Sequence, residues 1–272
     1  MATLNRKDEV DNFIGKLLIQ TYKNFELLII DQNPDDSVRN IYFKYKDKID
    51  IKYIRSDRKG LSFNRNTGLD NCSGDIIAFP DDDCEYTDDT LEKAVEFFNN
   101  NPNYCFYTCN TRDKNTPGAI LNTKTKNTGI SIFNFTNTGI SFTVFTLIAA
   151  IKNFKFDEKL GVGTKFGSGE ESDLLLFLLR NRNKGKYHAG HYIFHPAKEE
   201  TAEKALLYGM GFGAVYKKAI IKYKYFVLFP VFILRLLKGI INIVIHGNKK
   251  MRIASLYGRM QGFVQYKISA SN

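Results

Sequence analysis

Three consecutive carboxylates, Asp81, Asp82 and Asp83, stand directly after the short apolar β-forming run Ile76 to Phe79. Adjacent carboxylates repel one another unless a positive charge sits between them. A hard divalent cation, Mg²⁺ or Mn²⁺, fills that role because it takes oxygen ligands and shares them with substrate phosphates. A solvated acidic turn ahead of a helix would use the same residues without a ligand. The flanking pattern favours a site, since open α/β sheets place ligands where buried strands end in polar residues. A second set of acids, Glu170, Glu171 and Asp173, follows four glycines at positions 161, 163, 167 and 169 and opens an apolar helical run. Acids in a first helical turn also favour that terminus electrostatically without doing chemistry.

The elements that must position these acids follow from periodicity. Val10, Phe13, Ile14, Leu17 and Leu18 recur at helical spacing within Arg6 to Ile19, with Asp8 and Glu9 in the first turn. Glu26 to Ile30 is a nearly continuous apolar strand ending at Asp31, and the turn residues Asn33-Pro34-Asp35-Asp36 follow. Helices are expected near 37–45 and 60–71, the latter carrying Asn64, Arg65 and Asn66, with a short strand at Ile51 to Ile54. Strands alternating with helices imply right-handed βαβ units and a mostly parallel sheet. Farther on, Pro102 to Thr128 reads as a strand and a long loop, and Val144 to Ile151 as an apolar helix. Tyr192 to His195 reads as a strand ending in a histidine.

Four segments together resemble family 2 glycosyltransferases of the GT-A fold. They are Thr3-Leu4-Asn5-Arg6, Gln20 to Asp31, Gly60 to Gly68 and Gly74 to Asp83, in the family's order over residues 1 to about 90. Phe154 to Leu179 adds a second matching block, and residues 104–150 match loosely. The resemblance implies a nucleotide-sugar donor held by Thr3, Asp31, Arg65, Asp81 and Asp82, with Asp31 on the base and Arg65 beside the nucleotide. It implies Mn²⁺ or Mg²⁺ on Asp83, with His195 as a further candidate near metal or diphosphate. It also implies a catalytic base in the Glu170-Glu171 pair, with Glu171 in the second position where the family more often has Asp. Such a base removes the acceptor hydroxyl proton in inverting transfer. The acceptor implied is a glycan or a lipid-linked sugar of cell-surface polysaccharide synthesis. In the family an apolar strand precedes the Thr3–Arg6 run, so the natural product is expected to start upstream of Met1.

Composition bounds the rest. A chain of 272 residues, 43% hydrophobic and 25% charged, is globular and long enough for one α/β domain with an appendage. The four cysteines show no metal-type pairing and the opening residues are polar, which reads as reduced thiols in a cytoplasmic protein. The net charge of +10 is confined to the tail: from Lys204 onward there are twelve Lys and Arg and no Asp or Glu. Charge spread over a whole domain would have suggested nucleic acid. A basic, apolar, aromatic tail suggests an anionic membrane surface on the inner face of the cell membrane instead. Within Tyr225 to Ile245, Arg235, Lys238 and Asn242 share one helical face, so an amphipathic helix lying in the interface is expected rather than a span. The expected division is a GT-A catalytic domain over 1–205 and a helical membrane-surface tail over 206–272. The Gly209–Gly213 pattern follows no strand and reads as close helix packing, with Lys217 and Lys218 facing phosphates or lipid. A sugar nucleotidyltransferase would need a glycine-rich basic loop after the first strand, which is not visible. A catalytically inactive nucleotide-binding or scaffold protein of the same fold is the remaining alternative.

Overall fold

The computed structural model describes residues 1–115, 124–197, 199, 201–245 and 247–268. The chain divides into two compact units, one formed by 1–59, 63–154 and 181–197, the other by 60–62, 155–180 and 198–272.

The first unit is α/β. Its elements are β1 (Ala2–Thr3), α1 (Lys7–Leu18), β2 (Glu26–Asp31), α2 (Ser37–Tyr45), β3 (Asp50–Arg55), α3 (Leu61–Asn71, from Phe63 on), β4 (Ile76–Ala78), α4 (Thr90–Asn100), β5 (Phe106–Arg112), β6 (Thr128–Gly129), β7 (Val144–Leu147) and β8 (Gly185–Phe194). The strands β1-β2-β3 form a parallel sheet, with Thr3 opposite Asp31 and Ile29 opposite Tyr53. The order β4-β7-β5-β8-β6 forms a second, mixed sheet in which β5 and β8 run parallel. The periodic apolar face of α1 is buried as the spacing requires: Val10, Phe13, Ile14 and Leu17 are each at most 4% exposed. Residues of β2, β4, α4 and β7 line a cavity of about 1010 Å³, among them Leu27, Leu28, Ile76, Ile77, Phe98 and Phe145. At its edge the Met1 amino group donates to the Leu28 carbonyl at 2.8 Å, and burial first, then Arg65, pushes this amine down to about 5.

One sequence expectation fails here. Val144 to Ile151 is not an apolar helix but strand β7 followed by a 3₁₀ turn over Ile148–Ile151. Short continuous apolar runs are ambiguous by periodicity alone. The β-branched and aromatic residues Val144, Phe145 and Thr146 fit a strand buried on both faces. β7 is paired antiparallel with both β4 and β5, and that pairing decides it. Part of the long loop expected within 102–128 lies outside the described residues.

The second unit holds α5 (Glu170–Arg180), α6 (Ala202–Ile221), α7 (Leu228–Ile245) and α8 (Lys249–Gln265). The glycine pattern is close helix packing, as read. A Cβ on Gly213 would lie 2.1 Å from the Arg259 carbonyl oxygen, and one on Gly262 would lie 2.0 Å from that of Met210. The α6 and α8 backbones therefore touch, and only glycine permits it.

Lys218 faces neither phosphate nor lipid. It is buried and bonds Asp173 at 2.7 Å and Asp157 at 3.0 Å, while Lys217 donates to the Val264 carbonyl. Asp173 also accepts from the Tyr223 hydroxyl, and Asp157 from that of Tyr266.

Helix α7 is long and apolar enough to cross a membrane by length and composition. Its expected polar face is divided: Lys238 is exposed, but Arg235 turns inward onto the rings of Phe212 and Tyr216. The exposed side is chiefly apolar, with Ile233, Leu234, Leu237, Ile240, Ile241 and Val244 each at least 39% exposed. An aromatic face attracts a guanidinium, and this turns Arg235 inward.

Candidate functional site

The carboxylate trio follows β4, and residues from three other parts of the first unit converge on it. Thr3, at the end of β1, donates its hydroxyl to Asp82 Oδ2 at 2.7 Å. Arg65 on α3 is 5% exposed and pairs with Asp81 at 3.0 Å. His195, just beyond β8, places Nε2 3.1 Å from Asp83 Oδ1, and Arg6 lies 3.6 Å from the other oxygen. Phe142 stacks on the His195 ring at 4.6 Å with planes 4° apart, which fixes the imidazole's orientation. His195 Nδ1 is buried with no hydrogen-bond partner.

Three acids this close keep an excess of negative charge despite those neighbours. Burial pushes the Asp82 carboxyl up to about 6; the Thr3 hydroxyl opposes the shift, and Asp83 and Asp81 add to it. Asp81, Asp83 and His195 each offer a ligand atom within 4.8 Å of the others. Two carboxylates and one imidazole fit a divalent ion, and the imidazole suits Mn²⁺ better than Mg²⁺. Of the three, Asp81 is the most accessible, its side chain 27% exposed, so an ion held there could also take oxygen ligands from a substrate phosphate.

Asp31, at the end of β2, is fully buried. Its Oδ1 accepts from the Asn33 backbone and side-chain nitrogens at 2.9 and 2.6 Å, and its Oδ2 accepts from the Tyr53 hydroxyl at 2.6 Å. Of the residues expected on the donor and metal, Thr3, Arg65, Asp81, Asp82, Asp83 and His195 come together around one point, and Asp31 is Thr3's partner across the β1–β2 ladder. Arg6, Phe142 and Tyr53 were not anticipated. Arg6 closes the Thr3–Arg6 run, so its position was a usable signal, whereas nothing local to Phe142 shows what it will stack against.

In the second unit, Glu170 and Glu171 open α5. Gly161 and Gly169, both with positive φ, bend the loop that precedes them. Glu170 is 5% exposed and approaches Gly161 and Ser62, whose hydroxyl donates to the Leu160 carbonyl. Glu171 is half-buried, within 3.4 Å of the Ser172 hydroxyl. Of the two acids, Glu171 is the more accessible.

The model of glycosyl transferase family 2 matches residues 1–159. The chain belongs to glycosyl transferase family 2. Among curated relatives, the UDP-Glc:alpha-D-GlcNAc-diphosphoundecaprenol beta-1,3-glucosyltransferase WfgD of Escherichia coli is 33% identical over 96 residues, 35% of this chain and 38% of that protein. The chain spans well under half the length of the curated relatives it matches, 14% in the lowest of them. Among solved structures, S. aureus TarS 1–349 in complex with UDP-GlcNAc superposes with a TM-score of 0.66 at 17% identity, covering 81% of this chain and 65% of that one. The mannosyltransferase PcManGT of Pyrobaculum calidifontis, in complex with GDP-Man and Mn²⁺, gives 0.69 at 12% identity over 98% of this chain and 86% of that one. Likeness at these identities is likeness of fold, and the fold is GT-A.

Proposed function

We propose that the chain is a metal-dependent, inverting glycosyltransferase moving a sugar from a nucleotide-sugar donor to a glycan or lipid-linked acceptor in cell-surface polysaccharide synthesis. The observation that carries the reading is the Asp81–Asp83–His195 cluster at a strand end, beside Arg65 and Thr3. Relatives that act on diphosphoundecaprenol-linked sugars, and structural neighbours holding UDP-GlcNAc or GDP-Man with Mn²⁺, support it.

In this reading Asp31 meets the base, oriented by Asn33 and Tyr53, Arg65 lies beside the nucleotide, and Asp81 and Asp82 approach the ribose. A divalent ion on Asp83, with Asp81 and His195 around it, would neutralise the charge that grows on the departing nucleoside diphosphate. Glu171 takes the acceptor hydroxyl proton as that oxygen bonds the anomeric carbon. The bond from that carbon to the diphosphate breaks, its electron pair leaving with the nucleotide. Residues 1–205 would form the catalytic part and 206–272 a tail on the cytoplasmic face of the membrane. The outward apolar side of α7 and the wholly basic charge of the tail support that location.

A screen of nucleotide-sugars with Mn²⁺, scored by nucleoside diphosphate release and by thermal shift, tests the proposal. Release is expected with the cognate donor, and Asp83→Asn should abolish Mn²⁺-dependent donor binding with the fold intact. A thermal shift without turnover on any acceptor would make the chain a nucleotide-binding protein. Unchanged metal and donor affinity in Asp83→Asn would remove Asp83 from the site.

A further inference from the structure

A second concentration of like charge lies in the helices of the second unit, with the opposite sign. Phe212 and Tyr216 on α6, Phe232 on α7 and Phe263 on α8 form a ring cluster: Phe212 and Tyr216 stack at 4.7 Å, Tyr216 meets Phe232 at 5.2 Å, and Phe232 stacks on Phe263 at 4.8 Å. Two guanidiniums lie against that cluster, close enough for each to feel the other's charge. Arg259 lies 4.7 Å from the Phe212 centroid, and Arg235 lies 5.8 Å from Phe212 and 5.9 Å from Tyr216.

The rings account for part of this arrangement and leave part unexplained. An aromatic face attracts one cation, but it does not satisfy the N–H groups at the guanidinium edge, nor does it separate two cations. Arg259 Nε is buried with no hydrogen-bond partner, and a buried unpaired donor is costly. Burial pushes the Arg259 guanidinium below its ordinary value, and Arg235 pushes it further the same way. Residues 204–272 contain no Asp or Glu to pair with either arginine. The contrast with Lys218 in the same unit, which has two carboxylates of its own, is direct.

An oxyanion between the two forks would satisfy what the rings leave open, and phosphate is the anion whose geometry the guanidinium fork matches. The surroundings indicate what carries the phosphate. Leu234, Leu237 and Ile241 on α7 and Tyr257, Met260 and Val264 on α8 are exposed, each at least 43%. A soluble phosphate has no use for that apolar surface, whereas a phosphate esterified to a hydrocarbon chain does. We propose that Arg235 and Arg259 form a binding site for the phosphate of a membrane lipid, the phosphate end of a polyprenyl-linked acceptor. The choice of an acceptor lipid rests on the reading of the chain as a glycosyltransferase with a lipid-linked substrate.

The test is flotation of the full chain with three kinds of zwitterionic vesicle: undoped, doped with polyprenyl phosphate, or doped with phosphatidylglycerol to the same charge. The parent should prefer the polyprenyl phosphate vesicles by about tenfold or more, a single strong charged contact being of that order. Arg235→Gln with Arg259→Gln should erase the preference. Lys249→Gln with Lys250→Gln, which removes equal charge from exposed positions, should keep it. Circular dichroism checks the fold. If the glutamine pair melts out, Arg235→Lys with Arg259→Lys keeps charge and ring contact while losing the fork, and should also lose the preference.

Equal losses from the arginine and lysine pairs would reduce the site to diffuse electrostatics and overturn the inference. A preference that survives in the arginine pair would do the same. Polyprenyl phosphate and phosphatidylglycerol bound alike, or inorganic phosphate displacing the chain from doped vesicles, would overturn the acceptor-lipid assignment. A parent that binds no vesicle overturns the membrane reading as a whole, while donor turnover is scored separately and stands or falls alone.

Discussion

Two acid trios in this chain look alike as sequence and are held in opposite ways. Asp81, Asp82 and Asp83 crowd together after β4, where Arg65, Arg6, Thr3 and His195 approach them without cancelling their charge, and Asp82 is pushed up to about 6. Glu170, Glu171 and Asp173 begin α5 and are sorted by depth. Asp173 is fully buried against Lys218 and Tyr223, Glu170 is buried, and Glu171 stays half-exposed. Burial works against the Lys218 charge, yet Asp173 and Asp157 outweigh it and hold the ammonium above its ordinary value. The first trio sets three carboxylates against two guanidiniums and so has charge to spare for an outside cation, while in the second Lys218 compensates Asp173 and Glu171 is the accessible member. Charge left over marks where a ligand can act. Charge cancelled marks scaffold.

The largest effect is expected at Glu171. Glu171→Gln should keep donor binding and cut turnover by about 10²–10⁴-fold, as removal of a general base does. Glu170→Gln should act on stability more than on rate, because that carboxylate is buried beside Gly161. A large rate loss in Glu170→Gln with Glu171→Gln silent would exchange the two roles. Next in size is Lys218→Met, which strips the internal cation and leaves the buried Asp173 and the partly buried Asp157 as uncompensated acids. Breaking a buried pair from one side costs about 3–5 kcal/mol. Denaturant unfolding of the full chain should show that loss, and a change below about 1 kcal/mol would mean the cluster is not the scaffold described.

How legible each trio was in the sequence differs for a physical reason. Strand β2, helix α1 and the Asp81–Asp83 run are local signals, apolar periodicity ending in polar residues, and they stand where the pattern put them. The pairing of β7 depends on strands far away in sequence, so Val144 to Leu147 could pass for helix. Phe142 on His195 and Lys218 between two aspartates are likewise long-range facts with no neighbour in sequence to announce them. Helix α7 shows the limit from another side. The spacing of Arg235, Lys238 and Asn242 established a polar stripe, but only the rings of α6 turned Arg235 inward and left the apolar side out.

A third group tests the same rule with the sign reversed, and with the smallest effect. His191 on β8 stacks on His188 at 4.5 Å and shares a 2.7 Å hydrogen bond between its Nδ1 and the Tyr107 hydroxyl. Burial, then His188 and Lys93, lower it from 6.5 to about 4, with Asp89 opposing. Protonating His191 would place a charge in a partly buried site with Lys93 nearby, so the folded chain keeps it neutral. As the pH falls, the unfolded chain takes up this proton first, near 6.5, and the folded chain only near 4. Stability from this group is therefore full above pH 6.5 and declines from there to about 4. The ring is only partly buried, so solvent screening reduces the effect to roughly 1 kcal/mol over the window. His191→Gln removes the titration, and between about pH 7 and pH 4.5 the parent should lose that much more stability than the variant. Parallel pH curves for the two proteins would show that His191 is protonated without cost, and that the surplus-charge rule does not extend to this strand.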